Sequence, residues 1–278
     1  MRQGNKGSGK SDSFQGGGKN FGGKKKGPSK NRLSVKKGPA KPSEGVRLNK
    51  YIANAGIASR RDADGLISAG AVEINGKIVT ELGSKVMPGD IVHYGGERIS
   101  PEKNVYILLN KPKDFIATSD DPFNRRTVLN LVANACKERV FPVGRLDRST
   151  LGVLLLTNDG LMTKKLTSPK NQVKQIYHVF LDKNLTNADL VKLEEGVFID
   201  GSPVMLDTIS FVKGSKKEVG IEIHSGRNKI VRKIFEELGY SVTKLDRVEF
   251  AGLTKKGLLR GKWRFLNEQE VQFLQMLS

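Results

Sequence analysis

The chain has 278 residues, 37% of them hydrophobic, enough for one large domain or two smaller ones around a substantial core. A formal net charge of +19 selects polyanionic partners, nucleic acid first and a membrane surface second. One cysteine, Cys136, forms no internal disulfide, and with three histidines it leaves no ligand cluster at metal spacing; no apolar run nears the roughly 18 residues of a bilayer span. With no secretory signal at the N-terminus, the expectation is a cytoplasmic, metal-free protein.

Residues 1–44 are low in complexity and carry 12 Lys/Arg against 2 Asp/Glu. Such a stretch buries too little apolar surface to offset its ordering entropy, so disorder is expected. It reads either as a plain linker or as an arm that neutralises phosphates and raises encounter rates, and the second reading is preferred.

Residues 45–100 differ in character. "RLNKYIANAG" sets Leu48, Ile52 and Ala55 on one helical face with Gly56 as a stop. "SRRDADGLISAG" opens on Ser59 as an N-cap and buries Ala63, Leu66 and Ile67. "AVEINGKIV" is a hairpin about Asn75-Gly76, and "MPGDIVHY" adds a turn and a strand. Arg47, Lys50, Arg60, Arg61, Lys77 and Lys85 fall within this small unit. Singly each is an ordinary solvated cation; as a group they suit phosphates of structured RNA. The run "RLNKYIANAGIASRRDADGLISAGAVEINGK" resembles the αL RNA-binding module of a small-subunit ribosomal protein, which is also appended to RNA enzymes.

Residues 104–278 mix strands and helices. "VYILLN", "RVFPV", "GVLLLT", "QIYHVFL", "VGIEIH", "SVTKLDRVEF" and "KWRFL" have strand character; "LMTKKLTS", "NADLVKLEEGV" and "NKIVRKIFEELGY" read as helices. Without a regular βαβ period the expected class is α+β, with a mainly antiparallel sheet.

Three segments of this region carry chemistry. "GRLDRSTLG" places Asp147 at a Gly-bounded bend between Arg145 and Arg148, cations that favour its ionised form. It is a structural ion pair or a usable nucleophile or base. Tyr177 sits in a strand-like run; it is a core side chain, or it stacks on a base and exchanges a proton. "SGRNKIVRKIFEELGY" gathers Arg227, Lys229, Arg232 and Lys233 at the start of a helix whose apolar stripe includes Ile230 and Val231. That suits a phosphate or a carboxylate.

Together, "GRLDRSTLGVLLLTNDG", "KQIYHV" and "SGRNKIVRKIFEELGY…LDRVEF" resemble three successive motifs of the pseudouridine synthases. The module in front and "NKPK…RRTV" resemble the RsuA/RluB branch, which acts on ribosomal RNA. The resemblance implies an antiparallel sheet with flanking helices and cofactor-free isomerisation of a uridine. It makes Asp147 the essential aspartate, with Arg145 in its signature. It makes Tyr177 the ring that stacks on uracil and serves proton transfer at carbon five. Arg232 becomes the cation paired with the aspartate, and Val231 its apolar neighbour, with Arg227 and Lys229 near substrate. Asp114 departs from the glycine usual after "NKP", and Ile230 replaces a residue that is often polar. The expected partner is ribosomal RNA, preferably of the large subunit, or an assembling particle, bound by a monomer. The alternatives are small-subunit RNA as substrate, a non-catalytic RNA-binding assembly protein, or a general polyanion binder.

Overall fold

The computed structural model describes residues 45–277 apart from Lys213 and Asn228. The basic stretch 1–44 lies outside the described residues. Among those described, no helix is long and apolar enough to cross a membrane.

The first part of the chain builds its own core. β1 (Val46–Arg47) leads into α1 (Leu48–Asn54), followed by α2 (Arg60–Ser68), β2 (Val72–Ile74), β3 (Lys77–Ile78), β4 (Lys85–Val86), β5 (Val92–Tyr94) and β6 (Glu97–Ile99). Ser59 caps α2: its hydroxyl accepts from the Asp62 N–H at 3.2 Å and donates to the Asp62 carboxylate at 2.6 Å. Asn75 and Gly76 both take positive φ, +52° and +75°, the geometry a two-residue hairpin between β2 and β3 requires. Leu48, Ile52 and Ile67 are sealed against Ala63, Val72 and Val92. Each such side chain stabilises the unit by about 1.5–3 kcal/mol.

The second part is organised on one large sheet. Its elements are β7 (Tyr106–Lys111), α3 (Val128–Val132), β8 (Phe141–Pro142), β9 (Thr150–Thr157), α4 (Gly160–Thr167), β10 (Gln175–Leu181), α5 (Asn187–Glu195), β11 (Val197–Ile199), β12 (Ser202–Val204), β13 (Thr208–Val212), β14 (Ser215–Ile223), α6 (Ile230–Glu237), β15 (Val242–Phe250), β16 (Leu253–Thr254), β17 (Trp263–Phe265) and α7 (Glu268–Met276). Strand order is β13-β14-β10-β15-β9-β7-β17, with β8 added to β9 and β16 to β15. All pairings in it are antiparallel except β15 with β9.

Alternation explains why the central strands read as unbroken apolar runs. Ile107, Leu109, Leu154 and Leu156 point to one face, under α3, α5 and α6; Leu108, Val153 and Leu155 point to the other, under α4 and α7. Both faces are covered, so residues of either parity are apolar along the middle of these strands, and the buried polar ones, Asn110, Lys111, Thr150 and Thr157, fall at strand ends. "RVFPV" contributes less strand than its composition suggests: only Phe141 and Pro142 pair, and Val143 instead donates its N–H to the Leu155 carbonyl at 2.7 Å.

β9 changes partner at Gly152, where it leaves β15 and continues along β7. Gly152 has φ +105°, and a Cβ there would overlap the Arg247 carbonyl and the Asp246 carboxylate. Only glycine lets the two backbones approach this closely. The segment leading into this junction carries Asp147.

Candidate active site

Asp147 lies between β8 and β9 on a loop held from beneath. Leu146 is buried beside it, and the Thr150 N–H returns to the Asp147 carbonyl at 3.0 Å. Under the loop Lys111, completely buried, donates to the carbonyls of Thr150 at 2.7 Å, Asp147 at 3.0 Å, Pro112 at 3.2 Å and Arg148 at 3.4 Å. Burial pushes the Lys111 ammonium down to about 8, with the charges of Asp147 and Asp114 opposing. Asp114 explains its own position: φ is +69°, a conformation glycine adopts freely, which is why glycine suits that site. Its N–H donates to the Arg148 carbonyl at 2.9 Å, and its carboxylate meets Arg148 Nε at 3.3 Å.

That pairing corrects one expectation. The ion pair at Asp147 comes from neither flanking arginine: Arg148 turns to Asp114, and the guanidinium at Asp147 is that of Arg232, with Nε 3.9 Å from Oδ2. Arg232 is itself fixed, donating to the Val242 carbonyl at 2.7 Å and the Ser149 hydroxyl at 3.1 Å. Among the described residues no hydrogen bond reaches either Asp147 carboxylate oxygen at normal distance. The charge is balanced at arm's length, and its lone pairs stay available.

Asp147 forms part of the wall of three cavities, two of which share the Arg145–Asp147 loop. One, of about 210 Å³, is bounded by Leu146, Asp147, Tyr177, Arg227, Lys229 and Val231. Another, of about 530 Å³, lies between Ile116–Ser119 and the Arg145–Arg148 loop. Arg145 faces both of these. Six of the seven candidates from the three motifs, Arg145, Asp147, Tyr177, Arg227, Lys229 and Val231, therefore line the smaller cavity, and Arg232 lines the third, of about 530 Å³, with Asp147 and Lys229. Lys229 takes φ +53° at the start of α6. Ile230 is buried, so an apolar residue serves at that position.

Tyr177 is a core side chain that also reaches the cleft wall. Its ring is only 8% exposed and packs in the core beneath α6, yet it closes one side of the smaller cavity. Its hydroxyl donates to Gln175 Oε1 at 2.9 Å.

In the first part of the chain Arg47, Arg60, Arg61, Lys77 and Lys85 are exposed and Lys50 is half-buried. Lys50 and Arg60 meet at a cavity of about 430 Å³ to which Arg139 and Lys164 also contribute. Lys77 sits apart, on the β2–β3 hairpin. No group of three or more His, Cys, Asp or Glu side chains close enough to hold a metal occurs among the described residues.

A family model described as RNA pseudouridylate synthase matches residues 105–237, and one described as the S4 domain matches residues 46–92. Ribosomal large subunit pseudouridine synthase B of Bacillus subtilis is 41% identical over 239 residues, covering 84% of this chain and 96% of that protein. This chain belongs to the RNA pseudouridine synthase family. Dual-specificity RNA pseudouridine synthase RluF of Escherichia coli is similar over 237 residues at 37% identity, covering 83% of this chain and 78% of that one. A crystal structure described as a pseudouridylate synthase aligns with 82% of this synthase and 99% of its own chain, at TM-score 0.58 and 28% identity. This synthase carries two buried cations that sequence reading passed over, Lys111 and Arg247. Lysine and arginine are rarely fully buried, and the only signal was that each ends or interrupts an apolar strand.

Proposed function

We propose that this synthase converts a uridine of ribosomal RNA, large-subunit RNA first, to pseudouridine, with Asp147, Tyr177 and Arg232 as its working groups. The observation that carries the reading is the Asp147 carboxylate: ionic partner at 3.9 Å, no close hydrogen bond among the described residues, and a place in the cleft wall shared with Tyr177. A structural ion pair would be drawn into tight bidentate contact. The similarity to the Bacillus subtilis large-subunit enzyme supports the choice of RNA.

The reaction breaks a C–N glycosidic bond, turns the uracil and rejoins it through carbon five. The target base must first leave its stack, at a cost of a few kcal/mol. Stacking against the Tyr177 ring offsets about 1–3 kcal/mol of that. Asp147 supplies the oxygen that acts on the ribose, and the Arg232 guanidinium 3.9 Å away is its counter-charge. Tyr177 takes the proton from carbon five. Arg145, Arg227 and Lys229 meet the flanking phosphates, Val231 packs on the base, and the cations of residues 45–100 grip RNA beyond the cleft. The setting is the cytoplasm, and the chain acts as a monomer.

Pseudouridines mapped in both ribosomal RNAs from cells with and without this chain test the reading. One large-subunit position should revert to uridine in the deletion strain. Loss confined to small-subunit RNA would move the substrate; no loss anywhere would leave an RNA-binding protein without this activity.

A further inference from the structure

Arg247 is 2% exposed, on β15 in register with Tyr177 on β10, and at the junction where β15 meets Gly152 of β9. A buried guanidinium is expected to meet a carboxylate. Among the described residues this one meets none: Nε donates to the Val153 carbonyl at 2.9 Å, Nη1 donates to Gln175 Oε1 at 3.0 Å, and Nη2 is buried without a partner. Phe250 covers it, ring centroid 4.3 Å from Cζ. The neighbouring acid, Asp246, is engaged by Lys255 and Arg260.

Gln175 Oε1 is also the acceptor of the Tyr177 hydroxyl, so one amide oxygen receives both donors, and Gln175 Nε2 is tied to the Ser225 carbonyl at 3.1 Å. Two donors on one oxygen, at 2.9 and 3.0 Å, put the phenol and the guanidinium side by side, as their cross-strand register requires; burial works against the charge of Arg247, and Tyr177 favours it. A cation this costly to bury, beside the one phenol in the cleft and short of one acceptor, has a task at that phenol.

We propose that Arg247 is a positioning residue that acts through Tyr177, turning its oxygen into the cleft and stabilising it as phenolate while it removes the carbon-five proton. This rests on the role given above to Tyr177. The hydroxyl proton leaves to solvent before the step. The phenolate oxygen then forms an O–H bond with the carbon-five proton, and the electron pair of the broken C–H bond returns to the uracil ring. Arg247, with an N–H to spare, donates to the oxygen while it is negative. Gln175 holds the pair in register when it is neutral.

The test is single-turnover conversion of a large-subunit ribosomal RNA transcript containing either ordinary or 5-deuterated uridine. The full chain is compared with Tyr177→Phe, Arg247→Lys, Arg247→Met, Gln175→Met and the double variants. Arg247→Met should slow conversion about 10- to 100-fold, the worth of a charged hydrogen bond, and raise the carbon-five isotope effect without changing RNA affinity. Arg247→Lys should restore part of the rate. In the Tyr177→Phe background neither Arg247 variant should slow conversion further by more than about twofold. Gln175→Met leaves the buried cation in place and should give the same isotope signature, which keeps the test valid if Arg247→Met does not fold. Independent, multiplicative losses with an unchanged isotope effect would make Arg247 purely structural and overturn the proposal. If Tyr177→Phe alone changes neither rate nor isotope effect, the assignment of Tyr177 fails first.

Discussion

Replacing Lys111 by methionine separates holding a loop from holding a fold. Burial lowers the ammonium from its usual 10.5 to about 8, a difference of 2.5 units that corresponds to about 3 kcal/mol against the charged folded state. Methionine relieves that cost and keeps most of the packing volume. It removes all four donations: the two shortest, to Thr150 O at 2.7 Å and Asp147 O at 3.0 Å, are worth about 1.5 kcal/mol each for a charged donor, and the longer ones to Pro112 O and Arg148 O add less. The Asp147 carbonyl keeps the Thr150 N–H. Gain and loss nearly cancel, so the urea midpoint should move little, by about 1 kcal/mol or less. The Asp147 loop loses its floor, and a misplacement on the order of 1 Å costs about 10²-fold in rate. Lys111→Met should therefore lower kcat about 10- to 100-fold at unchanged RNA affinity. The pH dependence is a second reading of the same variant. Between pH 8 and 10.5 the unfolded chain holds a proton at this site that the folded chain has released, so the contribution of Lys111 to stability rises with pH through that window. Activity of the parent should fall as the ammonium is lost near pH 8, and the variant should lack both effects. Parent-like kcat with the alkaline fall intact would refute the role of Lys111.

Gly152→Ala should destabilise by about 3 kcal/mol or more, because a Cβ would combine positive-φ strain with overlap of the Arg247 main chain; a urea midpoint within 0.5 kcal/mol of the parent would contradict this account of the strand junction. Deleting residues 1–44, which remove a net charge of 12 − 2 = +10, should weaken RNA binding and flatten its salt dependence in a filter-binding titration. An unchanged salt slope would make the stretch a bystander.

The sequence was most readable where local chemistry settles the conformation. The Ser59 cap, the Asn75-Gly76 turn and the apolar stripe through Ile230 and Val231 depend on neighbours within one or two turns, and each is found as read. Short elements were harder. α3 and α7 escaped notice although capping boxes at Thr127 with Asn130 and Asn267 with Glu270 announce them. The β11–β12 hairpin turns on Asp200-Gly201, both at positive φ, a signal as plain as Asn75-Gly76. The cleft was readable in its members, and the pair of Asp147 with Arg232, 85 positions apart, was legible through the family motifs alone; local spacing points instead to the flanking arginines, of which Arg148 serves Asp114. Lys111 and Arg247 were invisible because a cation in a sequence carries no mark of the carbonyls that will surround it.

Asp147→Asn changes one atom of the group on which the proposed chemistry rests, and leaves the loop, Lys111 and the cations of residues 45–100 in place. Purified parent and variant, given the same ribosomal RNA transcript at matched salt, should bind alike, while the parent forms pseudouridine and the variant forms none. Pseudouridine from Asp147→Asn at the parent's rate would contradict the account.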